Sequence, residues 1–346
     1  LATLAAINPA FGLPFVPDQD GGAMEYVNLG RTGLKVSRLA LGTMNFGNPT
    51  TEENSFAVLN EARSLGINFV DTANVYGGKG NRGLTESIVG RWLSQDSSRR
   101  REVVLATKVY GRIGDGPNER RLSAYHIRQA CEDSLRRLHT DHIDLYQMHH
   151  VDRETPWEEI AQACEQLIRE GKAIYIGTSN FAAWQIATGD ALFRHRGDLG
   201  IVSEQSLYNL TQRSVELEVL PYCREKGLAF LPWSPLAGGL FGGLKTWDDG
   251  IRRSHPNTLK DLEKHKEKLE SFEAFCDDLG EEPAQMALAW LLHNPVVTAP
   301  IIGPRTLAHL QTSMRALEIK LDAEEMEWLN TLWPGPGGEA PEAYAW

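Results

Sequence analysis

The sequence predicts an α/β fold, a (β/α)8 barrel with an N-terminal β-hairpin and long loops on its C-terminal face. Three observations predict it. Eight short strand-like runs alternate with helix-like stretches. Three of those stretches stop at Gly66, Gly171 and Gly227, the residue type that caps helix C-termini before a short turn. The strand-like runs are apolar throughout rather than alternating, as strands covered on both faces are. A doubly wound open sheet would announce itself with a GxGxxG turn after its first strand. Here that place reads GTMNFG, Gly42–Gly47.

In chain order, residues 1–23 lack the basic start of a signal peptide and are set aside as an extension or leader. Met24–Ser37 alternates weakly around Gly30 and Gly33 and reads as a hairpin plugging one end of the barrel. The strand–helix rhythm then runs Leu39–Thr43 with Glu52–Leu65, Ile67–Asp71 with Leu84–Leu93, and Val103–Lys108 with Ser123–Leu138. Ile143–His149 pairs with Pro156–Glu170, Ala173–Ser179 with Ala182–Phe193, and Ile201–Gln205 with Ser214–Lys226. Leu228–Trp233 is followed by helices Leu259–Leu279 and Pro283–His293, and Ala299–Gly303 by Thr306–Leu317. Residues 24–333 form one domain, and Pro334–Trp346, rich in Pro and Gly, reads as a flexible tail. Three loops are long, Asn74–Gly83, Tyr110–Leu122 and Ser234–Thr258. All follow strands, so all belong to the C-terminal face, where barrel active sites lie.

Composition narrows the partners. A net charge of −11 argues against nucleic acid or an anionic membrane surface. No run approaches the ~20 apolar residues of a membrane span. Cys131, Cys164, Cys223 and Cys276 are far apart in sequence and read as buried thiols of a reducing cytoplasm.

The chemistry gathers at strand ends. Asp71, Lys108 and His149 close three consecutive strand-like runs, and Tyr76 follows Asp71 by five residues. Parallel neighbours lie ~5 Å apart, so the three ends share one rim with the phenol above it. Taken singly, each group has a plain reading as turn cap, surface charge or structural histidine. Together they describe a proton donor. An ammonium beside a phenol stabilises the phenolate, a carboxylate keeps the ammonium charged, and the imidazole orients a substrate oxygen. Protonating a carbonyl oxygen as it receives a hydride fits that set. His139, His142, His149 and His150 have no metal-ligand spacing, and no metal is expected.

Residues 24–333 resemble the aldo-keto reductases, near the branch of potassium-channel β-subunits. The motifs that carry the resemblance are LALGTMNFG, GINFVDTANVYG, TKVYG, DSLRRLHTDHIDLYQMHH, GKAIYIGTSNF, EQSLYNL, WSPLAGGL and IIGPRTLAHLQTS, in that order. The resemblance implies a TIM barrel, NADPH/NADP+ as cofactor, and a catalytic tetrad of Asp71, Tyr76, Lys108 and His149. It implies that Ser179, Asn180 and Gln205 meet the carboxamide, and that Trp233 stacks on the nicotinamide. The loop with Ser234, Leu236 and Gly238 would cover the pyrophosphate, and Arg305 would pair the 2′-phosphate. Gly42, Thr43 and Met44 are carried over to the cofactor site. His309 and Ser313 stand where the family offers Gln and Asn, and an insertion-like GGKGNRG follows Tyr76. Phe46, Tyr110 and His150 are expected at the substrate. The reading is a cytoplasmic reductase of a small-molecule carbonyl, with oligomerisation left open. Its alternatives are a cofactor-sensing regulatory subunit, a reductase of nucleotide-linked keto- or enoyl-sugars, and a lyase using Lys108 as a Schiff base.

Overall fold

The computed structural model describes residues 24–78, 80–244 and 255–345. The leader and the stretch 245–254 of the third long loop lie outside these.

A hairpin of β1 (Tyr26–Asn28) and β2 (Lys35–Ser37) precedes eight strands in one sheet. These are β3 (Ala40–Gly42), β4 (Phe69–Asp71), β5 (Val104–Val109), β6 (Ile143–Met148), β7 (Ala173–Ser179), β8 (Ile201–Leu207), β9 (Ala229–Trp233) and β10 (Ile301–Ile302). All neighbours are parallel and in sequence order, and β10 returns to pair with β3. Between β9 and the approach to β10 the ring is drawn together by a bridge between Phe230 and Val297, with the Thr298 amide donating to the Phe230 carbonyl at 2.9 Å. This is the (β/α)8 barrel expected.

The helices follow the strands: α1 (Glu52–Ser64), α2 (Leu84–Ser94), α3 (Ser97–Glu102), α4 (Ala124–Leu138), α5 (Trp157–Arg169), α6 (Ala183–His195), α7 (Val219–Lys226), α8 (Pro256–Leu279), α9 (Pro283–His293) and α10 (Leu307–Arg315). The sequence reading passed over α3, α11 (Ala323–Leu332) and the single turn α12 (Glu342–Ala345). It also started the seventh helix too early, since Ser214–Glu216 is a separate 3-10 turn. The helix starts are set locally. Thr51, Ser123 and Thr306 each accept an amide of the first turn on the side chain, which satisfies a donor the helix itself cannot.

The core has two layers. Between strands and helices pack Val58, Ile88, Trp92, Ile127, Tyr146, Phe193, Phe230 and Phe272, all but closed to solvent. Inside the barrel, Leu29 and Val36 of the hairpin join Ala40, Phe69, Val104, Ala106, Leu145, Val202, Ala229 and Leu231 in one apolar cluster. The hairpin is thus a floor. Its turn comes so close that a Cβ on Gly30 would stand 2.5 Å from the Ala229 nitrogen. Arg31 fastens it from below, donating to Asp190 and to the carbonyls of Leu199 and Ile201 at 2.8–2.9 Å. In the stretch 334–345, read from the sequence as a flexible tail, Glu339 and Ala340 meet α7 and the segment leading into it. There the Ala340 amide donates to the Leu217 carbonyl at 2.9 Å, and Arg224 pairs with Glu339.

Candidate active site

At the opposite end the interior turns polar. Asp71 is the last residue of β4 and Lys108 the penultimate residue of β5. In register, Lys108 stands beside Gln147, and Ser179 beside Gln205. The ammonium is wholly buried and makes three contacts: Asp71 Oδ1 at 2.5 Å, the Thr72 carbonyl at 2.8 Å and the Tyr76 hydroxyl at 3.3 Å. The other oxygen of Asp71 accepts from Gln147 Nε2 at 3.1 Å and Gln205 Nε2 at 2.9 Å. The second hydrogen of the Gln205 amide goes to Gln147 at 3.1 Å, so its carbonyl oxygen is what it has left for a ligand.

A buried charge survives only when paired and hydrogen-bonded. Burial pulls the Lys108 pKa down, but Asp71 and then Tyr76 outweigh it, and the group sits above its ordinary value. Lys108 is therefore an ammonium, which disfavours the Schiff-base reading. His149 follows β6, and its amide donates to the Val109 carbonyl at 2.9 Å. Its ring meets that of Tyr76 edge-on, centroids 5.8 Å apart. Burial, then Lys108, then His150 push its pKa down to about 3, so the imidazole is neutral at working pH. The backbone after β4 turns Tyr76 into the mouth: its amide donates to the Ala73 carbonyl at 3.1 Å and its carbonyl accepts from Gly83 at 3.0 Å.

Beside the tetrad a second set converges. Asn180, in the left-handed region at φ 62°, donates to the Ser179 hydroxyl at 3.0 Å and to the His149 carbonyl at 3.2 Å. Its side-chain oxygen accepts from the Trp233 indole at 2.9 Å. Past Trp233, the backbone is tightly wound at Ser234 and Ala237, both at positive φ. There the amides of Ala237, Gly238 and Gly239 donate within the loop, to the Ser234 carbonyl, the Ser234 hydroxyl and the Leu236 carbonyl. A phosphate held by these amides has to displace those bonds. Arg305 is half-buried just ahead of α10, whose first turn Thr306 caps.

Several expected residues land elsewhere. Phe46, expected at the substrate, is fully buried among Val58, Ile88 and Leu310, and its carbonyl accepts from Thr85 at 3.1 Å. It belongs to the packing under α1 and α2. Thr43 is fully buried with its hydroxyl on the Asp71 carbonyl at 3.0 Å, so its side chain holds the strand end. Gly42 is needed for strand contact, since a Cβ there would meet Ile301 at 2.6 Å. Ser313 is buried and bonds back to the His309 carbonyl at 2.9 Å, while His309 and Met44 are exposed. Tyr110 and His150 do form a pair at the rim, rings 5.3 Å apart and tilted 32°. Gln147 was missed. The available signal was a polar residue two before His149 on a buried strand, hence on the same face.

A cleft of about 670 Å³, lined by Arg100, Glu132, Leu135, Arg136, His139, Thr140, Asp141 and Lys172, opens at the other end of the barrel. It is remote from this chemistry. Among the described residues no three His, Cys, Asp or Glu side chains are grouped as a metal needs, and no helix is long and apolar enough to cross a membrane.

A barrel whose mouth holds a phenol against a buried ammonium–carboxylate pair, next to an indole–amide cluster, has the layout of an oxidoreductase. The comparisons make the class specific. A sequence profile of the Aldo/keto reductase family matches residues 38–334, and the chain belongs to that family. It is 55% identical over 329 residues to the uncharacterized oxidoreductase YrpG of Bacillus subtilis (strain 168), covering 93% of this chain and 100% of that one. It is 35% identical to versiconal hemiacetal acetate reductase of Aspergillus parasiticus, over 88% of this chain and 96% of that protein. A probable voltage-gated potassium channel subunit beta of Arabidopsis thaliana is 34% identical over 86% and 92% of the two chains.

Proposed function

We propose that the protein is an NADPH-dependent reductase that converts an aldehyde or ketone to an alcohol, with Tyr76 as general acid. The observation that carries the reading is the contact at 3.3 Å between the Tyr76 hydroxyl and a Lys108 ammonium that Asp71 holds charged. An ordinary tyrosine, near pKa 10, gives up its proton too reluctantly at neutral pH. A fixed positive charge in a dry site stabilises the phenolate left behind and makes the phenol a usable donor.

The residues fit the cofactor in kind. Ser179, Asn180 and the Gln205 carbonyl oxygen offer donors and acceptors for a carboxamide, and Trp233 offers a flat face for a ring. Arg305 supplies the charge a 2′-phosphate requires. When bound, the reduced dinucleotide supplies a hydride. The protein's part is the proton and the orientation. Neutral His149 donates or accepts a hydrogen bond at the substrate oxygen without adding charge. Tyr76 passes its proton to that oxygen as it becomes an alkoxide, and Lys108 keeps the phenolate stable until a proton returns. Tyr110 and His150 are proposed as rim contacts for the substrate. The four cysteines, all buried and unpaired, support a reducing, cytoplasmic setting.

Replacing Tyr76 by Phe removes the acid and leaves the binding groups in place. The expected result is a loss of kcat of about 10²–10⁴-fold, with the Kd for NADP+ within about threefold of wild type. A Tyr76→Phe enzyme that keeps most of its kcat would show that the proton comes from elsewhere. Arg305→Ala is expected to weaken NADPH about tenfold or more while leaving NADH nearly unchanged, since charge-assisted bonds to a phosphate are worth roughly 1.5–3 kcal/mol. Equal weakening would remove the 2′-phosphate role. The likeness to a channel subunit favours a second reading, a cofactor-binding regulatory partner. Steady turnover by the isolated chain decides for the enzyme.

A further inference from the structure

Next to Gln205 on β8 is Glu204, and strand alternation sends the two side chains to opposite faces. Gln205 reaches inward to Asp71, whereas Glu204 enters the wall under the end of β7. No part of Glu204 is exposed. Its Oε1 accepts from the Phe181 amide at 3.2 Å and from the Ser206 hydroxyl at 2.6 Å, and its Oε2 has no partner. Among the described residues, the titratable group that faces it is Cys223 on α7, a buried thiol pushed up by burial and then by Glu204 itself.

A carboxyl in such a place is costly. Burial pushes it up to about 7, against the pull of Ser206, Thr178 and the backbone of Phe181 and Asn180. Its contacts indicate what it is there for. Register places Thr178 beside Glu204 and Ser179 beside Gln205. The chain then leaves β7 through Asn180 at φ 62°, a left-handed conformation that asparagine tolerates. Two bonds hold it in place. The Asn180 amide donates to the Gln205 carbonyl at 3.0 Å, and the next amide, that of Phe181, goes to Glu204. From that turn the Asn180 side chain reaches the Ser179 hydroxyl, the His149 carbonyl and the Trp233 indole together.

We infer that Glu204 is a positioning residue for the nicotinamide half of the cofactor site, acting through the Phe181 amide to fix the turn from which Asn180 sets Trp233 and Ser179. The inference rests on the NADPH reading of this mouth. It separates the two halves of the dinucleotide: Glu204 governs the end at Asn180 and Trp233, and the adenosine end at Arg305 is independent of it.

The test compares Glu204→Met, which keeps the volume and drops the acceptor, with Glu204→Gln, which keeps an acceptor. Binding of NADP+ and of adenosine 2′,5′-bisphosphate is measured by calorimetry, and exchange of the Phe181 amide by NMR or mass spectrometry. Glu204→Met is expected to raise the Kd for NADP+ about tenfold, in line with one lost buried hydrogen bond, and to leave the bisphosphate within about twofold. The Phe181 amide should exchange faster in that variant. Glu204→Gln should restore both readouts to near wild type. Unchanged NADP+ affinity in Glu204→Met, or equal weakening of both ligands, would overturn the inference. A wild-type chain that binds neither ligand would instead sink the NADPH reading. Exchange at Phe181 then decides whether Glu204 fixes the turn, and unaltered protection in Glu204→Met would overturn it. Should Glu204→Met not fold, the same measurements on Glu204→Ala decide in the same way.

Discussion

The two ends of the barrel interior are built from the same strands and filled with opposite materials. At the hairpin end, Leu29, Val36, Phe69, Val104 and Leu145 pack into an apolar plug. At the mouth, two to four residues further along the same strands, stand Asp71, Lys108 and Gln147, joined by Gln205 from across the ring. Phe69 and Asp71 are two residues apart on β4, on the same face. The plug is worth ~1.5–3 kcal/mol per buried large side chain, and it holds the ring closed. The mouth is a paired charge in a dry place, weak evidence for stability in itself but suited to moving a proton.

Three experiments sharpen that contrast, in order of expected effect. Lys108→Met strikes the mouth. It should cut kcat by about 10²–10⁴-fold, the worth of a positioned acid, because the proposed acid Tyr76 loses the ammonium beside it. It should also cost roughly 3–5 kcal/mol of stability, because Asp71 is left buried with no cation. Denaturant melts and steady-state rates check both. Phe69→Ala strikes the plug, two residues from Asp71 on β4. It should cost ~3–5 kcal/mol through the cavity it opens, yet leave the kcat of the folded enzyme within about twofold. A large loss of kcat there would mean that the two ends are not separable.

The third experiment uses pH. His149 takes its proton near pH 3 in the folded chain and near 6.5 when unfolded. The unfolded state therefore binds more protons between those values, and this residue's contribution to stability is lost as pH falls from about 6.5 towards 3. Glu204 has the opposite sign. Its folded value, about 7, lies above the ordinary 4.5, so the folded state binds the extra proton and stability falls as pH rises from about 4.5 to 7. Melting temperatures of His149→Asn and Glu204→Gln against wild type, from pH 4 to 8, should show difference curves of opposite slope. Glu204→Gln should gain most above pH 7. Parallel curves would remove the assigned protonation states.

Much of this was legible in the chain. The eight strands appear as apolar runs because both their faces are covered, and the helix ends appear as Gly66, Gly171 and Gly227 because a left-handed cap suits glycine. Asp71, Lys108 and His149 could be placed on one rim because consecutive parallel strands carry their last residues side by side. Where the reading went astray, side-chain direction decided. Phe46 sits in a glycine-flanked loop near the mouth, and nothing local says that it turns down into the packing of α1 and α2 rather than up to a ligand. Ser313 was expected at the cofactor from the resemblance alone, and its hydroxyl bonds back to its own helix. Glu204 opens the EQSLYNL motif and received no role from the sequence, since its burial depends on β7, β9 and α7, outside its own strand.

The chain alone determined the sequence of elements, the closed ring and the identity of the groups at its mouth, since periodicity, caps and strand length are properties of neighbouring residues. Only tertiary structure decided which of those groups touch. The 2.5 Å and 3.3 Å contacts of Lys108, the turn of Asn180 onto Trp233 and the burial of Glu204 each join strands tens of residues apart. Hydrogen bonds and desolvation act over a few ångströms of space, and sequence separation does not report that distance until the barrel closes.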